Sequence, residues 1–571
     1  MHHTLQQVFN FTAFRPGQEA VISAVLAGRS TAAIFPTGSG KSMCYQLPAL
    51  LLPHLTLVVS PLLALMQDQL AYLARHGIAA ASIDSSQSRE HTQDVMAQAR
   101  AGTLKILMIS VERLKNERFR NFITQIPISL LVVDEAHCIS EWGHNFRPDY
   151  QNLPDYQRQF NIPQALLLTA TATPAVVADM QAKFAIDAFD VVCTGFYRPN
   201  LNLLVEPVSG ADKLNQLTDW LAERTQQPGI VYVTLQKTAH DVASHLSQHG
   251  VPAQAYHAGM LHAQREAVQR QFMVGEVNCI VATIAFGMGI DKSNIRHVVH
   301  FDLPKSIEGY SQEIGRAGRD GLPSDCLALV NDEGLPVLEA FIYGDTPKPD
   351  GIRRVLDDLL AVLPGKPWEL TLNALSKHSG IRLLPLKTLL VQLELRAIIA
   401  ARYAYFAEYR FKYLSTPESI LSHFSAERQQ FVQAVLDSAP RARTWCTLDF
   451  EALAQRYPAD HSRVVTALDY LAEKGWIELE AKQMTEVYAV LQAPPDADAL
   501  SHELAAYFQA KEVSEIARIH AVLDFFSGDT CMSQRLAAYF GDTQAPLRCG
   551  HCSACFASSQ HDNAKQRPQV R

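Results

Sequence analysis

The stretch Thr31-Ala32-Ala33-Ile34-Phe35-Pro36-Thr37-Gly38-Ser39-Gly40-Lys41-Ser42 decides the fold class. A short apolar run, a turn with two glycines and a Lys-Ser pair opening a helical pattern give the order strand, phosphate cradle, helix. Glycines let successive backbone N–H groups converge on a β-phosphate, and the helix N-terminus adds the positive end of its dipole. Thr37, Gly38, Ser39 and Gly40 form the cradle. Lys41 supplies a point charge to the β/γ-phosphates, and the Ser42 hydroxyl is a ligand for Mg²⁺. The general pattern has Gly six residues before the Lys, where this chain has Phe35. Alone, therefore, the loop marks only a nucleoside-triphosphate site.

Its counterpart lies downstream. Leu130-Leu131-Val132-Val133 runs into Asp134-Glu135-Ala136-His137, which places carboxylates at the C-terminal edge of a parallel sheet, where ligands of open α/β sheets sit. Asp134 is assigned to Mg²⁺ through water, and Glu135 to orienting and deprotonating the attacking water. His137 joins them in the candidate catalytic set. A single acidic turn after a buried strand is commonplace; paired with an upstream phosphate loop, it indicates triphosphate hydrolysis.

Around this pair, apolar runs at Leu55–Ser60, Lys105–Ser110 and Ala165–Leu168 alternate with helical patterns, as βαβ units require. A second set holds strands at Gly229–Val233, Cys279–Ala282 and His297–His300. Two doubly wound α/β lobes are expected, over residues 1–200 and 201–343. Beyond Ala340 the pattern turns helical and carries a weak repeat. Leu390, Leu393, Ala397 and Ile399 recur as Leu468, Leu471, Gly475 and Ile477, each a helix, a turn and a β-like run. Two winged-helix-like modules, 344–420 and 421–500, are the reading; chance alignment of amphipathic helices is the alternative. A helical segment follows at 501–557, and a polar, disordered tail at 558–571.

Composition sets outer bounds. The 571 residues are 48% hydrophobic and carry a net charge of −8, which argues against coating nucleic acid by bulk electrostatics but not against a local basic groove. The N-terminus lacks a basic region followed by an apolar one, and no apolar run is long enough to span a bilayer, so a cytosolic location is expected. Six cysteines (Cys44, Cys138, Cys193, Cys279, Cys326, Cys446) are scattered singly and read as small buried apolar groups.

Several further stretches make the chain resemble the RecQ family of superfamily 2 helicases, from about Phe9 to Gly321. Phe11 with Phe14-Arg15-Pro16-Gly17-Gln18 resembles the family's adenine-recognition motif. The resemblance implies that Gln18 reads the adenine edge, Phe11 stacks on the base and Arg15 packs nearby. Ser60–Gln69 and Leu168–Thr173 resemble the motifs that contact single-stranded DNA and link the ATP site to the DNA path. Cys138-Ile139-Ser140-Glu141-Trp142-Gly143-His144-Asn145-Phe146-Arg147-Pro148-Asp149-Tyr150 resembles the aromatic-rich loop that senses DNA. Base stacking on such a loop is worth about 1–3 kcal/mol per base. Trp142, His144, Phe146 and Arg147 are its DNA-binding candidates, although the i, i+4 spacing of Trp142 and Phe146 also suits a core.

In the second lobe, Tyr256-His257-Ala258-Gly259-Met260 resembles a motif entering the DNA channel, with His257 as its contact. Ala282–Lys292 resembles one spanning DNA and nucleotide, with Gly287 and Asp291 on the nucleotide side. Tyr310–Gly321 closes the set. Its Arg316 and Arg319, three apart, share a helical face and reach across a cleft. Arg319 is expected to act as the finger on the γ-phosphate and Arg316 as its coupling neighbour.

Cys549-x₂-Cys552-x₂-Cys555 with Cys531 upstream supplies four thiolates at zinc spacing. His551 is a competing ligand, and free thiols or a redox pair are the other reading. The segment Cys531–Asp542 resembles the RecQ zinc-binding segment, but its position departs from the family. There the zinc segment follows the second lobe directly; here about 170 residues intervene, and no room is expected for a C-terminal helicase-and-RNase-D-like domain. Tyr403, Tyr405, Phe406, Tyr409 and Phe411 are candidates for a strand-separating wedge, with an aromatic core as the alternative.

The resemblance implies an ATP-dependent DNA helicase of 3′-to-5′ polarity acting in repair or recombination. Its cofactors would be ATP, Mg²⁺ and Zn²⁺, and its partners single-stranded and duplex or forked DNA at the bacterial nucleoid. An RNA helicase of the same superfamily and a non-enzymatic DNA-structure binder are the competing classes.

Overall fold

The computed structural model describes residues 1–557 apart from residues 62, 85, 86, 88, 142, 144, 145, 288, 289, 291 and 495. The first lobe is built on seven strands: β1 (Thr31–Ile34), β2 (Leu55–Val59), β3 (Ala80–Ile83), β4 (Ile106–Ile109), β5 (Ile128–Val133), β6 (Ala165–Thr169) and β7 (Val191–Cys193). They lie in the order β3-β4-β2-β5-β6-β1-β7, and each pairing is parallel. β1, β2, β4, β5 and β6 are buried along their whole length. That is why they read as unbroken apolar runs rather than alternations.

The second lobe repeats the plan with β8 (Leu201–Pro207), β9 (Gly229–Tyr232), β10 (Ala253–Tyr256), β11 (Cys279–Ala282), β12 (His297–His300) and β13 (Ser324–Val330). Their order is β10-β11-β9-β12-β13-β8, again parallel. In both lobes the loops at the C-terminal strand edges face the cleft where the candidate groups gather.

The helical region holds a five-stranded antiparallel sheet of β14 (Pro367–Leu370), β15 (Ile399–Tyr413), β16 (Arg441–Ala442), β17 (Trp445–Thr447) and β18 (Ile477–Val490). The repeat is visible in it. Helix Leu383–Leu395 and helix His461–Glu473 each end in a left-handed residue, Ala397 (φ 53°) or Gly475 (φ 70°), and each leads into a long strand. The two strands pair with one another, Ile399 opposite Val490 and Tyr413 opposite Ile477.

The cores do not divide at residue 420 as expected. One is built from Ile352–Ile399 with Tyr488, Val490 and Leu500–Phe508. The other runs from Tyr409 to Ile477. Each long strand begins in one core and ends in the other, so the second unit is nested within the first. Tyr409 and Phe411 are buried in the second core, which removes them as an exposed wedge. Tyr405 donates to Glu369 (2.6 Å), and the side chains of Tyr403 and Phe406, like the tail 558–571, lie outside the described residues.

The excursion ends when the 31-residue helix Ala497–Ser527 returns to the lobes, packing on helices Ile307–Ile314, Leu335–Gly344 and Pro349–Leu360. The cysteine segment that follows docks beside the linker between the lobes. Phe540 stacks on Phe196 with centroids 4.4 Å apart, Asp542 accepts from the Phe196 N–H (2.7 Å), and the Ser553 hydroxyl accepts from the Val205 N–H (2.9 Å). A large insertion in sequence therefore leaves this segment against the lobes in space. Of the scattered cysteines five are buried, while Cys193 is exposed.

Candidate active site between the lobes

The phosphate loop links β1 to helix Met43–Leu51. Gly38 (φ 84°) and Gly40 (φ 81°) adopt backbone conformations that disfavour a side chain. A Cβ on Gly40 would also lie 2.7 Å from Gln18 Nε2. Lys41 Nζ donates to the carbonyls of Phe35 (3.0 Å) and Pro36 (3.4 Å) of its own loop. Burial lowers its pKa, opposed by Glu135 and Asp134.

Upstream, Arg15 Nη1 donates to Gly38 O (2.7 Å) and Gln18 Nε2 to Gly40 O (2.9 Å), while Gln18 Oε1 accepts from the Arg15 N–H (2.9 Å). Both ends of the Gln18 amide are thus engaged by the protein. These bonds brace the loop. Phe11, 45% exposed, offers an open ring face.

The carboxylates meet the loop from β5. Asp134 accepts from the Ser60 hydroxyl (3.2 Å) and from the Glu135 N–H (3.0 Å). Burial, then repulsion by Glu135, pushes its carboxyl up to about 7, against the pull of Lys41. Glu135 stands in the left-handed region (φ 50°), and burial raises its pKa too. A group with a raised pKa next to a lysine is suited to accept a proton. His137 Nδ1 lies 3.4 Å from Glu135 Oε2 and 2.9 Å from Thr169 Oγ1. Burial holds this imidazole down to about 4, hence neutral, and ties the acidic turn to the end of β6.

The second lobe closes the site. A Cβ on Gly38 would lie 3.1 Å from Arg319 Cγ, and one on Gly315 would lie 3.0 Å from Thr37 Cβ. Arg316 donates to Gly287 O and its charge acts on Glu135; Arg319 donates to Ile290 O (2.8 Å) and its charge acts on Lys41. Arg198, in the linker, was not singled out from sequence. It donates to Thr37 O (3.3 Å) of the first lobe and Gly318 O (2.9 Å) of the second. Its only sequence signal is an arginine between two aromatics and a proline at the lobe boundary.

A cavity of about 630 Å³ runs from Glu135, His137 and Arg316 past Phe146 and Arg147 to Lys387 and Lys511. Phe146 and Arg147 therefore share one cavity with Glu135. Trp142, His144 and Asp291 lie outside the described residues. His257 sits apart, buried, with Nε2 2.7 Å from His240 Nε2.

The sulfurs of Cys531, Cys549, Cys552 and Cys555 all lie within 4.8 Å of one another, with pairs at 4.0 Å. Tetrahedral zinc thiolate, at about 2.3 Å per bond, needs sulfurs roughly 3.8 Å apart, so the four fit Zn²⁺. N–H groups of Cys549, Met532 and His551 point at three of these sulfurs, the support a thiolate requires. His551 is not in the cluster; its Nε2 is 3.2 Å from the Tyr197 hydroxyl. Zinc here would cross-link a segment with few apolar residues of its own.

Among the described residues no helix is long and apolar enough to cross a membrane. Residues 15–180 match the DEAD/DEAH box helicase family, 212–321 the helicase conserved C-terminal domain, and 496–556 the RecQ zinc-binding family. The ATP-dependent DNA helicase RecQ of Pasteurella multocida (strain Pm70) is 44% identical over 355 residues, 62% of this chain and 55% of that protein. The ATP-dependent DNA helicase Q-like 5 of Arabidopsis thaliana is 31% identical over 528 residues, 90% of this chain and 57% of that protein. The chain thus spans little more than half the length of these two relatives. It covers more, 72%, of the probable ATP-dependent DNA helicase RecS of Bacillus subtilis (strain 168), at 42% identity over 359 residues and 62% of this chain. With the two lobes, the shared cleft and the four-cysteine cluster in place, the chain belongs to the RecQ family of superfamily 2 helicases.

Proposed function

We propose that this protein is an ATP-dependent DNA helicase that steps 3′ to 5′ along single-stranded DNA and opens duplex or forked DNA. Its setting is DNA repair or recombination, in the cytoplasm at the nucleoid. The observation that carries the reading is the seat of Arg319, from the second lobe, on Gly38 of the first. Hydrolysis then requires both lobes, and any change in their separation changes the transition-state charge that an arginine can meet. Glu135 takes the proton of the attacking water, Lys41 places its charge on the phosphates, and Arg319 meets the charge that builds on the γ-phosphate. Ser42 and Asp134 would hold Mg²⁺, which supplies charge neutralisation to the β- and γ-oxygens. Phe146 and Arg147 offer a stacking face and a cation to a strand passing the same cavity.

ATP turnover with and without single-stranded DNA tests this reading. Stimulation by DNA that disappears in Lys41→Ala is expected. Stimulation by RNA alone would make the protein an RNA helicase, and no turnover at all would leave a DNA-structure binder.

A further inference from the structure

We infer that Tyr507 and Lys511 are positioning residues that hold the first lobe's aromatic loop at Glu141 and Phe146, and that an incoming single strand competes with them for that loop. The inference rests on the helicase reading above.

Glu141, in that loop, accepts three hydrogen bonds from three elements. They come from Gln151 Nε2 (2.6 Å), Gln392 Nε2 (2.9 Å) and the Tyr507 hydroxyl (2.8 Å). Gln392 is aimed by Arg396, which donates to its Oε1 (2.6 Å) and also binds Glu503 (2.8 Å). Burial and the Glu141 charge keep the Tyr507 phenol protonated and therefore a donor. Lys511, one helical turn beyond Tyr507, places Nζ 4.4 Å from the centre of the Phe146 ring. A base cannot stack on the ring face that Lys511 covers.

The same helix reaches the other lobe. Phe525 and Phe526 pack at 5.6 and 5.1 Å on Tyr310, in the helix that leads to Arg316 and Arg319. Ala497–Ser527 spans about 46 Å at roughly 1.5 Å per residue, so one rod touches the loop of lobe one and, in lobe two, the helix that precedes the two arginines. The described residues of the loop are closely held. A Cβ on Gly143 would lie 2.3 Å from His137 O, and the Arg147 N–H donates to Cys138 O (3.0 Å). Arg147 acts electrostatically on Glu135, so a shift of Glu141 and Phe146 moves a cation relative to that carboxylate. The helix and the strand compete for one loop, and loosening the helix's hold favours the DNA-ready arrangement.

The test titrates ATP hydrolysis by the full chain with a single-stranded oligonucleotide, in wild type, Tyr507→Phe, Lys511→Met and Lys511→Arg. Tyr507→Phe and Lys511→Met are expected to lower the DNA concentration for half-maximal stimulation by about three- to tenfold. They should also raise the DNA-free rate, with the KM for ATP unmoved, and Lys511→Arg should restore wild-type behaviour. Misfolding does not produce a gain of this kind. An unchanged or higher half-stimulation concentration overturns the inference; a higher one in Lys511→Met alone makes Lys511 a phosphate contact. Absence of stimulation in wild type overturns the helicase reading, and this inference with it.

Discussion

Arg319 of the second lobe lies against Gly38 of the first so closely that a Cβ on the glycine would stand 3.1 Å from Arg319 Cγ. The contact joins the phosphate loop to the turn that follows helix Ile307–Ile314, rather than to a helical face as expected, so it forms and breaks with the cleft. Gly38 cannot be exchanged freely, because its φ of 84° already disfavours any side chain.

Arg319→Ala is expected to lower the turnover of ATP about 10³-fold or more, the range for an arginine supplied across a cleft. Affinity for a fluorescent ATP analogue should change by less than about tenfold, since the finger acts on transition-state charge. A loss under tenfold in turnover, with a large loss in Arg316→Ala, would exchange the roles of the two arginines.

Asp134→Asn is expected to stabilise the metal-free, nucleotide-free protein while abolishing turnover. The Asp134 carboxyl is pushed up to about 7 in the fold from an ordinary value near 3.8. Between those values the folded state binds more protons than the unfolded one, so this group's contribution to stability falls as pH rises. Replacing it should raise Tm by a few degrees, about 2–6 °C, at pH 7.5, with the gain shrinking towards pH 4. A constant gain across that range, or none, would contradict the assigned shift.

Gln18→Ala is expected to weaken ATP and GTP binding by similar factors, about three- to tenfold. The side chain braces Gly40 and the Arg15 backbone, and bracing does not distinguish bases. A selective loss of ATP would support the adenine-reading role that the family resemblance implies.

Cys552→Ser is expected to release bound zinc, measured by mass spectrometry of the metal, and to lower Tm by about 5–10 °C. Because Asp542 and Phe540 hold Phe196 in the inter-lobe linker, ATP turnover should fall as well. Retained zinc would exclude the four-thiolate site.

What could be read in advance follows from how local each signal is. β5 and β11 were legible because burial on both faces makes them continuous apolar runs. β10, Ala253-Gln254-Ala255-Tyr256, is a half-buried edge strand with no such run, and it was missed. The 78-residue repeat was legible down to the turn at Ala397 and Gly475. That its two strands would pair with each other was not, since pairing depends on where the chain returns. In the site, Lys41, Asp134, Glu135 and Arg319 announce themselves by loop chemistry. Arg198 and the Tyr507–Glu141 contact do not, because each joins residues far apart in the chain with no pattern around either partner.

Strand displacement on partly duplex DNA with a 3′ or a 5′ single-stranded tail tests the central claim most directly. With ATP and Mg²⁺, wild type is expected to separate the 3′-tailed substrate, leave the 5′-tailed one paired, and lose all displacement in Lys41→Ala. Displacement only from a 5′ tail, or displacement that survives Lys41→Ala, would contradict the account.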